Sequence, residues 1–222
     1  MKHFIITRFG FTTDYEHLEE RIVLFKRFTL PSIKAQTNKN FEWLLLGDPL
    51  FVIPGARWFG DQPNKALRPG VMNPSYLRYI RKVTRNEDLV LMTRLDNDDM
   101  LMPTYVEDIQ KIAKPEQAYD FRGYYLDLNT GAFYTDKIYH KDFTSPFTTL
   151  AQTIAKQTIY MGNHAKIGLI YPVTFVEKRN WVQIVHGNNW MMNSKKIAKW
   201  GDSAPIHPFV KKILEEANAK NG

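Results

Sequence analysis

The 222-residue chain contains no cysteine, which excludes a disulfide framework, a cysteine nucleophile and a thiolate zinc site. Long hydrophobic runs are missing too. No apolar stretch approaches the roughly 20 residues needed to cross a bilayer, and Met1-Lys2-His3-Phe4-Ile5-Ile6-Thr7 turns polar too soon for a signal peptide. Neither phosphate-binding glycine loop occurs, G-x-x-x-x-G-K or G-x-G-x-x-G, so a bound nucleotide must be held by other means. Zinc-finger spacing, ribonucleoprotein motifs and a leucine zipper are absent, as are internal repeats. The expectation is a cytoplasmic enzyme without a transmembrane segment and with no nucleic acid among its partners. Peripheral contact with a membrane through basic residues stays open, and the oligomeric state is not legible.

What is present is an ordinary globular composition with a net charge of +7 spread along the chain. Short basic clusters recur, such as Arg78, Arg81, Lys82 and Arg85, or Lys195, Lys196 and Lys199. A positive field favours polyanions, a nucleotide diphosphate among them. Buried strands are expected at Phe4–Thr7, Glu42–Leu46 and Leu89–Thr93, each a short apolar or β-branched run closed by turn residues. Between them, Leu18, Ile22, Phe25 and Phe28 recur at helical spacing, Pro31 marks the start of a second helical turn, and Tyr76, Leu77, Ile80 and Val83 form another helix face. Residues 54–74 are rich in Pro and Gly and read as loop. Pro103 opens a helix with the stripe Val106, Ile109 and Ile112.

After this alternation come a hairpin across Asn129-Thr130-Gly131, a helix around Leu150–Lys156, a strand around Trp181–Val185 and a closing helix over residues 208–219. Strand–helix units followed by a hairpin-containing half predict an α/β mixed sheet with helices on both faces. A ligand site is expected at the carboxyl ends of the first strands.

Asp96, Asp98 and Asp99 fall within four residues directly after the strand Leu89–Thr93. Carboxylates this close repel one another unless a cation neutralises them or they point apart. Oxygen ligands of this kind suit Mg²⁺ or Mn²⁺, which also bind a substrate diphosphate. A calcium loop is excluded, because Met100 and Leu101 stand where alternating oxygen ligands and a glycine belong. The competing reading is a solvated turn capping the helix after Pro103.

Thr93-Arg94-Leu95-Asp96-Asn97-Asp98-Asp99 resembles the Asp-x-Asp region of GT-A glycosyltransferases, and more narrowly a rhamnosyltransferase family related to glycosyltransferase family 2. Thr7-Arg8-Phe9, the stretch Phe28-Thr29-Leu30-Pro31-Ser32-Ile33 leading to Gln36 and Phe41-Glu42-Trp43, and Val185-His186-Gly187-Asn188-Asn189 extend the resemblance in order along most of the chain. The resemblance implies a single GT-A domain over residues 1–222, with residues 1–115 the nucleotide-binding half and 116–222 the acceptor-binding half. It also implies that Asp96 lies near the ribose, that Asp98 binds Mn²⁺ or Mg²⁺ and that His186 is a further metal ligand. Arg8 and Asp48 would line the nucleotide, although Gly47-Asp48-Pro49 departs from the usual Asp-Asp-Gly-Ser form. Arg94 either supports the acidic cluster or contacts substrate.

The implied partners are a UDP-, dTDP- or GDP-sugar donor and a glycan acceptor. In an inverting reaction a general base removes the acceptor proton, and Asp99, Asp136, Asp142 and His164 are the candidates. The alternatives are a nucleotidyltransferase, or a carbohydrate- or polyanion-binding domain without catalysis.

Overall fold

The computed structural model describes residues 1–8, 15–47, 55–59, 75–136, 144–155, 159, 164–187 and 194–219. Its centre is a sheet in which β1 (Lys2–Arg8) lies between β2 (Glu42–Leu46) and β4 (Val90–Asp96), parallel to both, with β3 (Ala56–Phe59) parallel outside β2. β8 (Thr149–Gln152) continues the sheet antiparallel to β4, and β6 (Gln117–Asp127) is antiparallel to β8. β6 therefore runs in the same direction as β4. β7 (Phe133–Asp136) and β10 (Gly201–Ser203) complete that side. β9 (Val173–Val185) pairs parallel with β6 and also antiparallel with the short β5 (Met100–Leu101).

Burial on alternate residues places helices on both faces. Ile5, Trp43, Leu45 and Leu91 pack with Phe25, Ile33, Tyr105, Val106 and Ile109, from the helical segment at residues 15–34 and from α4 (Tyr105–Ile112). Phe4, Ile6, Leu44, Leu46, Val90 and Met92 face Tyr76, Leu77 and Ile80 of α3 (Ser75–Val83). α6 (Pro208–Ala219) buries Val210 and Ile213 against Leu24, Phe28, Met100 and Met102, and α5 (Ser194–Trp200) buries Ile197 against Val185. The α/β class, the mixed sheet and the helices on both faces are as expected. Among the described residues no helix is long and apolar enough to cross a membrane.

Four elements differ from the sequence reading. Pro31 does not begin a new helix. α1 (Tyr15–Leu24) passes through a π-helical turn (Phe25–Thr29) into α2 (Leu30–Lys34) without a break. Proline brings no N–H and crowds the carbonyl four residues back, and the wider turn upstream, with Leu30 N–H bonded to Phe25 O, accommodates it. Second, Thr149–Gln152 is a strand and not a helix. Its four residues, Thr-Leu-Ala-Gln, are all buried between β4 and β6, and so short a run has no periodicity to separate the two states. Third, Ala56–Phe59 forms β3 inside the stretch read as loop.

The last difference is the length of β9, which begins eight residues before the expected Trp181. Its register against β6 jumps from Phe121↔Val176 to Arg122↔Arg179 and then to Gly123↔Trp181. Glu177, Lys178 and Asn180 are thus bulged out, and their polarity hides the strand. The hairpin does form, with Gly131 at φ 72° supplying the left-handed residue its turn requires.

Candidate active site

The site sits at the carboxyl end of β4, where the strand gives way to the turn Asn97-Asp98. Two features fix that turn. From one side, Gln36 accepts the Val106 N–H at 3.1 Å and donates to Met102 O at 2.9 Å, while Ser32 Oγ accepts the Leu101 N–H at 3.3 Å. The Ser32-to-Gln36 part of the resemblance thus anchors α2 to the segment immediately after the acidic turn. From the other side, the β9 bulge turns the end of that strand toward β5. This sets the Ile184 N–H 2.8 Å from Asp99 Oδ1 and brings His186 against Asp98.

The three aspartates then have different surroundings. Asp96 is the most open, gripped by Arg94 through Nε and Nη2 at 3.0–3.2 Å, with Arg8 Nη2 4.0 Å away. Asp98 is buried, and its Oδ2 accepts from Arg21 Nη1 at 2.5 Å and lies 3.0 Å from His186 Nε2. Asp99 is also buried and takes the Ile184 N–H. Burial first, and the charges of Asp98 and Asp96 next, push its pKa well above the ordinary aspartate value, against the pull of that N–H and of Arg21. On the far side of His186, Glu20 Oε1 lies 3.7 Å from Nδ1.

Among the described residues no three His, Asp or Glu side chains converge on one point that could hold a metal ion. Asp98 Oδ2 and His186 Nε2, in hydrogen-bond contact, are nevertheless donor types that could serve as two ligands of such an ion. A site with few protein ligands is the usual arrangement for a cation shared with a phosphate substrate, whose oxygens and water complete the sphere.

The remaining sequence candidates divide by location. Asp48 and Asp142 lie outside the described residues, as does the side chain of His164, whose backbone opens the 3₁₀ turn His164–Leu169. Asp136 is not brought to the acidic turn by any contact. It accepts the Gly123 N–H at 3.2 Å, with Arg122 Nε and Arg179 Nε at 3.4 and 3.6 Å. Arg94 pairs with Asp96. Arg21 and Glu20 were missed. In the sequence they are charges between the apolar positions Leu18 and Ile22 and read as a solvated helix face; a cation on the flank of α1 nearest the strand ends is the signal that could have found Arg21.

No curated protein matches the chain. Among solved structures it is similar to S. aureus TarS at 11% identity and a TM-score of 0.43, over 83% of this chain and 37% of that one. Similar also are residues 1–349 of TarS in complex with UDP-GlcNAc (11% identity, TM-score 0.43, 85% and 60% of the two chains) and with UDP (10%, 0.39, 83% and 61%). The chain therefore spans less than two thirds of the length of each of these. The family described as putative rhamnosyl transferase matches residues 5–198, a span that holds Arg8, the whole Arg94–Asp99 segment and His186, and the chain belongs to this family of glycosyltransferases.

Proposed function

We propose that the protein transfers a sugar, rhamnose by its family, from a nucleoside-diphosphate donor to a hydroxyl of a glycan acceptor, with inversion and with Mn²⁺ or Mg²⁺ as cofactor. The observation that carries the reading is the buried pair Asp98–His186, 3.0 Å apart at the carboxyl end of β4 within the span that defines the family. In this reading residues 1–115 form the donor half and residues 116–222 the acceptor half, with His186 reaching back across.

Asp98 and His186 would hold the cation. When bound, it would supply Lewis-acid stabilisation to the charge that develops on the leaving diphosphate. The protein's own groups would do the rest. Asp96, held by Arg94 through both carboxylate oxygens, would present a fixed carboxylate to the ribose hydroxyls, and Arg8 beside it would add positive charge next to the nucleotide. Asp48 would complete the nucleoside side. The proton of the acceptor hydroxyl would pass to a general base drawn from Asp99, Asp142 and His164.

The test is release of nucleoside diphosphate from UDP-, dTDP- and GDP-sugars with Mn²⁺, with Mg²⁺ and with chelator. Metal-dependent release from one donor, lost in Asp98→Ala, is the expected result and would name the nucleotide. No release from any donor, together with no thermal stabilisation by any nucleotide plus metal, would overturn the reading in favour of a binding domain without catalysis.

A further inference from the structure

A carboxylate oxygen offers two lone-pair directions. On Asp98 Oδ2 one faces Arg21 Nη1 at 2.5 Å and the other faces His186 Nε2 at 3.0 Å. The same Arg21 nitrogen reaches Asn97 Oδ1 at 3.3 Å, so α1 grips both residues of the turn that ends β4. Arg21 thus supplies positive charge to the very oxygen that the functional reading assigns to a divalent cation. The two cannot be neighbours on this oxygen without strong like-charge repulsion across a few ångströms in a poorly hydrated site. Asp98 has 6% of its side chain exposed and has nowhere to go, whereas Arg21 keeps 28% exposed on a long flexible stem. Arg21 is therefore the partner free to move. A guanidinium displaced from a carboxylate at the mouth of this site has one obvious new anion, the diphosphate of the donor, whose oxygens match its planar fork.

We propose that Arg21 is an exchangeable positioning residue. It neutralises Asp98 in the free protein, competes with the divalent cation for Asp98 Oδ2, and passes to the donor's diphosphate once the cation is bound. This inference rests on the assignment of Asp98 and His186 to the cation and adds a consequence that assignment alone does not have: the cation binds weakly by itself and tightly with a diphosphate, and Arg21 is the reason. Glu20, on the same helix, has its carboxylate 3.7 Å from His186 Nδ1 on the opposite side of the pair.

The experiment measures binding, not turnover. Free Mn²⁺ is followed by electron paramagnetic resonance in titrations of the full chain, first with Mn²⁺ alone and then with inorganic pyrophosphate as the diphosphate probe. Wild type, Arg21→Gln, Arg21→Lys and Asp98→Asn are compared. Arg21→Gln should bind Mn²⁺ alone on the order of tenfold more tightly than wild type. At saturating Mn²⁺ it should bind pyrophosphate on the order of tenfold more weakly, the loss expected of one charge-assisted contact. Arg21→Lys keeps the charge without the fork and should fall between the two, which also guards against a folding defect peculiar to Arg21→Gln.

Equal Mn²⁺ affinity in wild type and both Arg21 variants, with binding lost in Asp98→Asn, would overturn the proposal and leave the cation assignment standing. Tighter Mn²⁺ binding with unchanged pyrophosphate affinity would overturn the hand-over to the diphosphate. No Mn²⁺ binding to any of the proteins, with or without pyrophosphate, would overturn the cation assignment and this proposal together.

Discussion

Asp98 and Asp136 are both buried carboxylates with arginine nearby, and they are held in opposite ways. Asp136 ends β7, where a backbone donor, the Gly123 N–H, is built into its surroundings, and where Arg122 and Arg179 approach from strands β6 and β9. Arg122 is itself pinned, donating to the Asp136 carbonyl at 2.7 Å. Near it, Asp120 takes both the N–H of Ser145, at 2.7 Å, and its hydroxyl. Among the described residues the contacts of Asp98 are made by side chains instead, one on a helix and one on a strand end. Backbone donors cannot leave; side chains can. The first cluster is organised to hold β6, β7 and β9 together, and the second to exchange partners.

Substitutions should separate the two. The largest effect is expected from Asp98→Ala on turnover: a loss of about 10³-fold in kcat, the several kcal/mol assigned to charge stabilisation at a leaving group. Its melting temperature should fall only modestly, because Arg21, 28% exposed, can turn to water while the buried His186 loses one partner. A melting temperature that collapses along with activity would erase the contrast.

Gly123→Ala should do the reverse. A Cβ at Gly123 would fall inside the ring of Trp181, which donates its indole N–H to Phe121 O at 2.6 Å and stacks on Phe147 at 4.6 Å, so it cannot slide away. Overpacking of this kind costs about 3 kcal/mol or more, measurable by urea unfolding. Asp136→Ala comes next, at about 2 kcal/mol, since it strands the Gly123 N–H and two arginines that are only partly covered. Neither substitution should change the affinity for Mn²⁺ in the protein that remains folded, and a change there would show that the clusters are coupled.

The smallest effect per step is a pH dependence. Burial pushes the Asp120 carboxyl up to about 7, against the two Ser145 hydrogen bonds. The folded state therefore keeps a proton that the unfolded chain releases near its ordinary value of 3.8. The stability this contributes is complete below about pH 4 and is lost as pH rises toward 7, by at most ~1.4 kcal/mol per pH unit. Asp120→Asn should flatten that slope, so that its stability relative to wild type is greater at pH 8 than at pH 5. His3 acts in the opposite sense. Burial lowers it to about 3, so it favours folding above 6.5 and loses that contribution as pH falls. An Asp120→Asn protein whose urea midpoint tracks wild type at both pH values would remove Asp120 from the account.

The same contrast explains what could be read from the sequence. Features set by a local pattern were legible: the Val90–Thr93 core of β4 running into Asp96, the Asn129-Thr130-Gly131 hairpin, the closing helix. Asp98 and His186, 88 residues apart, were both singled out only through the resemblance of the motifs around them. Features set by what lies beside a segment were not legible. Thr149–Gln152 is a strand only because β4 and β6 flank it, and the polar bulge at Glu177-Lys178-Asn180 concealed a strand whose length decides where His186 arrives. Arg21 looked like any surface charge until the helix carrying it was set over the acidic turn.

The π-helical turn at Phe25–Thr29 gives that last point a wider meaning. Each residue of an α-helix advances the chain by about 100°, so the extra residue held in the wide turn fixes the rotational phase of everything before it. α2 is locked to the sheet by Gln36 and Ser32, and α1 therefore behaves as a dial set by this turn. Removing one residue from it would carry Glu20 and Arg21 about a quarter of the way round the helix axis, leaving the core stripe misaligned and the carboxylate of Asp98 facing a different part of the helix. An irregularity that exists to accommodate Pro31 thereby also determines which side chain greets the acidic turn.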